Sequence, residues 1–139
     1  MKSKNKKKFL IIKLSSLGDV VHALPTAHTL RLEYPEAFIA WVIEERYQEL
    51  LHDNPDIDEV ILIRTKFWRK NWNWDTLKEI LQKIKSLRKH KFDMAFDFHG
   101  LIKSGLIAML SGARTKVGFH RKNCKEKISS IFTLSLIHI

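Results

Sequence analysis

Five short apolar runs of strand length, separated by stretches with helical spacing, restrict this chain more than any other feature of its sequence. The runs cover residues 9–14, 37–43, 60–63, 92–98 and 116–119, and most are rich in β-branched or aromatic side chains. Between them lie amphipathic or small-residue segments of helix length, the clearest at 75–90, where Leu77, Ile80, Leu81, Ile84 and Leu87 share one face opposite lysines and Asp75 is placed to cap the start. Strands alternating with helices in this way predict an α/β fold, a doubly wound and mostly parallel sheet with right-handed crossovers. A chain of 139 residues with 45% hydrophobic side chains is one domain with enough apolar content for a core.

In such sheets ligands bind at the carboxyl ends of the strands, so the first strand-to-helix turn is the place to look for chemistry. After the run FLIIKL the chain passes through Ser15, Ser16, Leu17, Gly18 and Asp19 before helical spacing resumes. Pro25 suits a first helical position better than an interior one, which predicts a helix from Pro25 to about Tyr34, with Ala27, Leu30 and Leu32 covering the sheet. The turn has one glycine and matches neither G-x-G-x-x-G nor G-x-x-x-x-G-K-[ST], which argues against a nucleotide cradle. The carboxylate of Asp19 suits a general base, and it equally suits a cap on the following turn. Ser15 and Ser16 read as turn formers, and His22 as a packed or hydrogen-bonded side chain.

The other polar features admit several readings. The segment 64–74 holds three of the four tryptophans among cations and shows no clean period, so it reads as an exposed loop. Trp68, Trp72 and Trp74 with Arg64, Lys66, Arg69 and Lys70 fit a single-stranded nucleic-acid surface, a clamp on an anionic sugar, or a loop folded onto its own domain. Asp97 and His99 close the fourth strand and alternate toward one side, half of a metal site without further ligands nearby. Lys103 follows on the next helix, residues 101–110, which Gly112 caps; Arg114, Lys116, Arg121, Lys122 and Lys125 form a second basic group. A receiver-like regulatory domain is a weaker third class, because Asp19, Asp93 and Asp97 stand among cations.

The formal net charge of +10 calls for an anionic partner: nucleic acid, a membrane surface, or a phosphorylated or carboxylated small molecule. One cysteine, Cys124, allows no internal disulfide, which fits a reducing compartment and makes the cytoplasm the expected location. Residues 1–8 read as a basic solvated tail. Lys13 interrupts the apolar run behind it and no small-residue cleavage site follows, so the start does not fit a signal peptide. No stretch reaches the roughly 18 apolar residues that a spanning helix needs.

Four segments, in order, resemble one known family. Ile12-Lys13-Leu14-Ser15-Ser16-Leu17-Gly18-Asp19-Val20-Val21-His22-Ala23-Leu24-Pro25 is similar to the opening signature of the ADP-heptose:lipopolysaccharide heptosyltransferases of glycosyltransferase family 9. Trp41-Val42-Ile43-Glu44-Glu45 resembles their second-strand exit and Phe67-Trp68-Arg69-Lys70 their basic loop. Asp97-Phe98-His99-Gly100-Leu101-Ile102-Lys103-Ser104 resembles their D-x-Q-G-L-x-K-S element, with the whole match running from about Phe9 to Phe132. The branch it looks most like adds the first heptose to the Kdo sugar of the inner core.

That resemblance implies a Rossmann-like fold forming the N-terminal, acceptor-binding half of a GT-B glycosyltransferase, over residues 9–133. It implies inverting transfer of heptose from ADP-heptose to the Kdo of Kdo2-lipid A, with no metal and no other cofactor. Asp19 would be the base for the acceptor hydroxyl. Ser15, Ser16, Leu17 and Gly18 would lie near the reacting sugar; Trp68, Arg69 and Lys70 would meet the anionic acceptor, with His99, Lys103 and Lys125 as further substrate contacts. His99 stands where the family has Gln, and Lys125 where it has Arg, a change that loses the bidentate fork. The partners implied are the glycolipid acceptor, the nucleotide-sugar donor and the anionic inner face of the cytoplasmic membrane, with no nucleic acid. The apolar end at 134–139 reads as truncated or non-native, and the family's donor domain is absent from the sequence, so the polypeptide alone is expected to be inactive. The competing reading is a basic, tryptophan-rich module for single-stranded nucleic acid.

Overall fold

A computed structural model describes residues 6–99 and 102–118. Five strands, β1 (Lys8–Ile12), β2 (Phe38–Glu44), β3 (Glu59–Ile63), β4 (Met94–Asp97) and β5 (Thr115–Gly118), form one sheet in the order β3-β2-β1-β4-β5. Every neighbouring pair is parallel. The helices are α1 (Leu17–Glu33), α2 (Thr65–Lys70), α3 (Trp74–His90) and α4 (Ile102–Leu110), with a 3-10 helix over Glu45–Leu51. A further helix that the sequence suggests over residues 126–133, and the cations Arg121, Lys122 and Lys125, lie outside the described residues.

Side-chain alternation divides the core into two layers. Phe9, Ile11, Ile39, Trp41 and Phe96 pack beneath α1 and the 3-10 helix. Leu10, Ile12, Ala40, Val42 and Ala95 face the other way, against Trp68 of α2, Leu87 of α3 and Ala108 of α4. The register agrees, since Ile11 pairs with Trp41 on one side and Phe96 on the other, all in the first layer. Because helices cover both faces, the central strands read as continuous apolar runs.

The structure corrects several local expectations. Helix α1 begins at Leu17 and carries Pro25 in its interior, so Asp19 lies in its first turn and not ahead of it. The buried stripe Val20, Ala23, Thr26, Ala27 and Leu30 runs through the proline at spacings of three and four. Burying those side chains, at about 25 cal/mol per Å² of apolar area, outweighs a proline cost of about 3 kcal/mol. Leu32 is exposed, as is Leu81 on α3, so neither covers the sheet. The cap of α3 is Asn73, whose side chain accepts from the Thr76 amide at 2.9 Å, while Asp75 sits within the first turn. Residues 64–74 are not a loop: they contain α2, and Trp74 opens α3.

Arg31 stitches the amino edge of the sheet. Its guanidinium donates to the carbonyls of Pro35 at 3.1 Å, Ala37 at 2.7 Å and Asp56 at 3.0 Å, and to the Asp58 carboxylate at 2.7 Å.

Candidate active site at the carboxyl edge of the sheet

The chain leaves β1 for β2 on one side and returns to β4 on the other, so the strand order reverses between β1 and β4. This is the switch point at which open α/β sheets form a crevice. Ile12 and Asp97 stand side by side there in the ladder, and the Phe98 amide donates to the Ile12 carbonyl at 3.0 Å.

Beyond Ile12 the chain is tied down residue by residue. The Trp41 indole donates to the Lys13 carbonyl at 3.0 Å, and the Glu44 amide donates to Leu14 at 3.1 Å. The Lys13 amine is buried and donates to the Phe98 carbonyl at 3.3 Å, bridging the ends of β1 and β4. The Ser15–Ser16 peptide bond is cis. Ser16 is the N-cap of α1, but its hydroxyl makes no cap bond to the helix backbone; it donates to Asp19 Oδ2 at 3.3 Å. Asp19 itself is half-buried, on the rim and not in the core. A methyl group built on Gly18 would meet nothing within 4 Å, so the outer side of this turn is open.

The opposite wall differs from its reading in sequence. Asp97 and His99 are both buried; one oxygen of Asp97 accepts the His99 amide at 3.1 Å, and the other faces Gly105 of α4. Neither side chain is presented to open solvent. Among the described residues no group of three or more His, Cys, Asp and Glu side chains is placed to hold a metal ion. Lys103 is half-exposed, with its Nζ 3.8 Å from Glu44 Oε2. Glu44 is a buried carboxylate at the end of β2, and it also accepts from the hydroxyl of Thr65, the first residue of α2.

Lys13 and Glu44 were not legible as site residues. Lys13 reads in sequence as a break in an apolar run, and Glu44 enters only within the segment that resembles the family's second-strand exit. The signal for each was a lone charge at the carboxyl end of a strand otherwise buried on both faces.

In the basic segment, Trp68 is 9% exposed and its indole N–H donates to Glu79 Oε2 at 2.7 Å. Arg64 grips the same carboxylate through Nε at 3.1 Å and Nη2 at 2.5 Å, and lies 4.2 Å over the Phe67 ring. The hydrogen bond from Arg64, reinforced by that from Trp68, holds the Glu79 carboxyl below its usual range, and the same bond raises Arg64. Trp68 and Arg64 are therefore structural, and they place Arg69 and Lys70, both exposed and in no ion pair among the described residues. The nucleic-acid reading loses one of its three indoles. Lys125 lies outside the described residues.

No protein-family model matches the chain. Lipopolysaccharide heptosyltransferase 1 of Pseudomonas aeruginosa is 33% identical over 125 residues, which cover 88% of this chain and 35% of that one. The enzyme of the same name from Escherichia coli K12 is 28% identical over 131 residues, covering 94% of this chain and 41% of that one. The structure of E. coli heptosyltransferase WaaC with ADP-2-deoxy-2-fluoro heptose superposes with a TM-score of 0.74 at 28% identity, over 90% of this chain and 40% of that one. This chain is a homologue of the lipopolysaccharide heptosyltransferases. It spans about two fifths or less of each relative, corresponding to their N-terminal part. The five-stranded parallel sheet of this heptosyltransferase homologue is Rossmann-like, and its structural neighbours are heptosyltransferases of the GT-B type.

Proposed function

We propose that this domain is the acceptor half of an enzyme that moves L-glycero-D-manno-heptose from ADP-heptose to the Kdo of Kdo2-lipid A, with inversion. The observation that carries the reading is the position of Asp19: a carboxylate in the first turn of α1, on the rim of the switch-point crevice and bonded to the Ser16 hydroxyl. A general base must come within about 3 Å of the hydroxyl it deprotonates, directly or through one water, and a carboxylate on an open rim can do so. Asp19 takes the acceptor proton as that oxygen attacks the anomeric carbon; the bond to ADP breaks and its electron pair leaves with the diphosphate. The N-terminus of α1 favours negative charge close by.

Arg69, Lys70 and Lys103 bind the anionic groups of the acceptor, and the backbone of Ser15, Ser16, Leu17 and Gly18 borders the reacting sugar. Buried His99 supports this wall from behind. The reaction proceeds without a metal, at the inner face of the cytoplasmic membrane, and needs a donor-binding domain beyond this chain.

In the full-length protein, Asp19→Asn should lower kcat by about 10²–10⁴-fold with acceptor binding little changed, measured by ADP release and by titration with Kdo2-lipid A. Retention of wild-type turnover would remove the proposed base. Heptose transfer by the present chain alone would overturn the two-domain requirement.

A further inference from the structure

Glu44, the last residue of β2, is 5% exposed, whereas the six residues before it in the strand are all apolar. Burying a carboxylate is costly unless its partners come with it. Here the partners come from two other elements and meet the same oxygen: Oε2 accepts from the Thr65 hydroxyl and lies 3.8 Å from the Lys103 ammonium. The sheet register explains the first contact. Glu44 pairs with Ile63, the last residue of β3, so the chain passes beside Glu44 just before it enters α2 at Thr65. The second contact reaches across the switch point, because α4 follows β4 on the far side of β1.

Lys103 stands where its own helix does nothing to hold it. It is the second residue of α4, whose first turn carries no acidic side chain, and cations are disfavoured near a helix N-terminus. Its long side chain is 45% exposed, and ordering such a stem on a ligand weakens binding. The Glu44 carboxylate restricts that stem beforehand. At 3.8 Å the contact is an ion pair and not a hydrogen bond, so it uses none of the ammonium's hydrogen-bond donors.

We propose that Glu44 is a positioning residue of the acceptor site. One carboxylate oxygen holds the Lys103 ammonium of α4 on one side of the crevice and, on the other, the first residue of α2, the helix that carries Arg69 and Lys70. This inference rests on the reading of Lys103, Arg69 and Lys70 as contacts for the anionic groups of the acceptor, and it adds the group that fixes how two helices present them. The sign of the effect separates this role from that of a simple charge. A carboxylate beside an anion site repels the ligand, so removing it as a charge would tighten binding, whereas removing a positioning group weakens it. A purely structural carboxylate would move stability and leave affinity alone.

The full chain is titrated with Kdo2-lipid A at fixed ionic strength, and the fold of each variant is checked by urea denaturation. Glu44→Gln keeps an oxygen for Thr65 but loses the ion pair, and it should weaken binding about five- to tenfold as rotamer freedom returns to Lys103. In a Lys103→Met background the same change should alter affinity less than about twofold, since the group it positions is gone. Thr65→Val should weaken binding about threefold through α2, while Thr65→Ser, which keeps the hydroxyl, should match the wild type. Tighter or unchanged binding by Glu44→Gln, or an equal loss with and without Lys103, would overturn the proposal and leave the acceptor contacts in place. If the wild type does not bind Kdo2-lipid A, or Lys103→Met alone does not weaken binding, the acceptor reading falls and this inference with it. Should Glu44→Gln not fold, the Thr65 pair decides, and equal affinity of Thr65→Val and Thr65→Ser overturns the proposal.

Discussion

Glu79 shows how much of this chain's behaviour is decided by single side chains whose partners are distant in sequence. It accepts from Arg64, 15 residues earlier, and from Trp68, and these bonds hold its carboxyl below the ordinary 4.5. A carboxyl depressed in the folded state adds stability above its unfolded value, and that stability is lost as pH falls through the lower folded value. The pair is about one third exposed, so solvent screens it and the effect is small. Between about pH 5 and 3 the thermal midpoint of the wild type should fall further than that of Glu79→Gln, read by circular dichroism. Parallel curves would remove the linkage. Residue type alone could not show which tryptophan of three would be buried: the choice falls on Trp68 because Glu79 is within reach of its indole nitrogen. Asp19 was legible for the opposite reason, since Ser16, whose hydroxyl donates to it, is three residues away.

At the scale of elements, the strands and α3 were readable because period and burial agree. Helix α1 starts eight residues before Pro25, which reads in sequence as a boundary, because the apolar stripe on either side of the proline continues without a break. Position 25 lacks the N–H that would reach the Val21 carbonyl. Pro25→Ala restores that donor and should raise unfolding free energy by about 1–3 kcal/mol, measured by urea denaturation. A loss of stability would mean that the helix depends on the ring's own packing. The cap of α3 fell on Asn73 and not on Asp75 because the residue that accepts from the third following amide is the cap, and Trp74 is already helical.

At the scale of the whole molecule, stability rests on strands covered from both sides. Ile39 is fully buried in the layer beneath α1, and Ile39→Ala should cost about 2–5 kcal/mol in chemical denaturation, with the sheet order unchanged. A cost below about 1 kcal/mol would contradict a packed layer there. The sequence by itself determined the alternation of strands and helices, the parallel sheet and the turn that presents Asp19, because each is written in local period or in side chains a few residues apart. Only the tertiary structure decided that Lys13 and Glu44 meet the ends of other elements and that Asp97 and His99 turn away from solvent. Those outcomes depend on which strand ends become neighbours, and such long-range pairing leaves no periodic trace along a single chain.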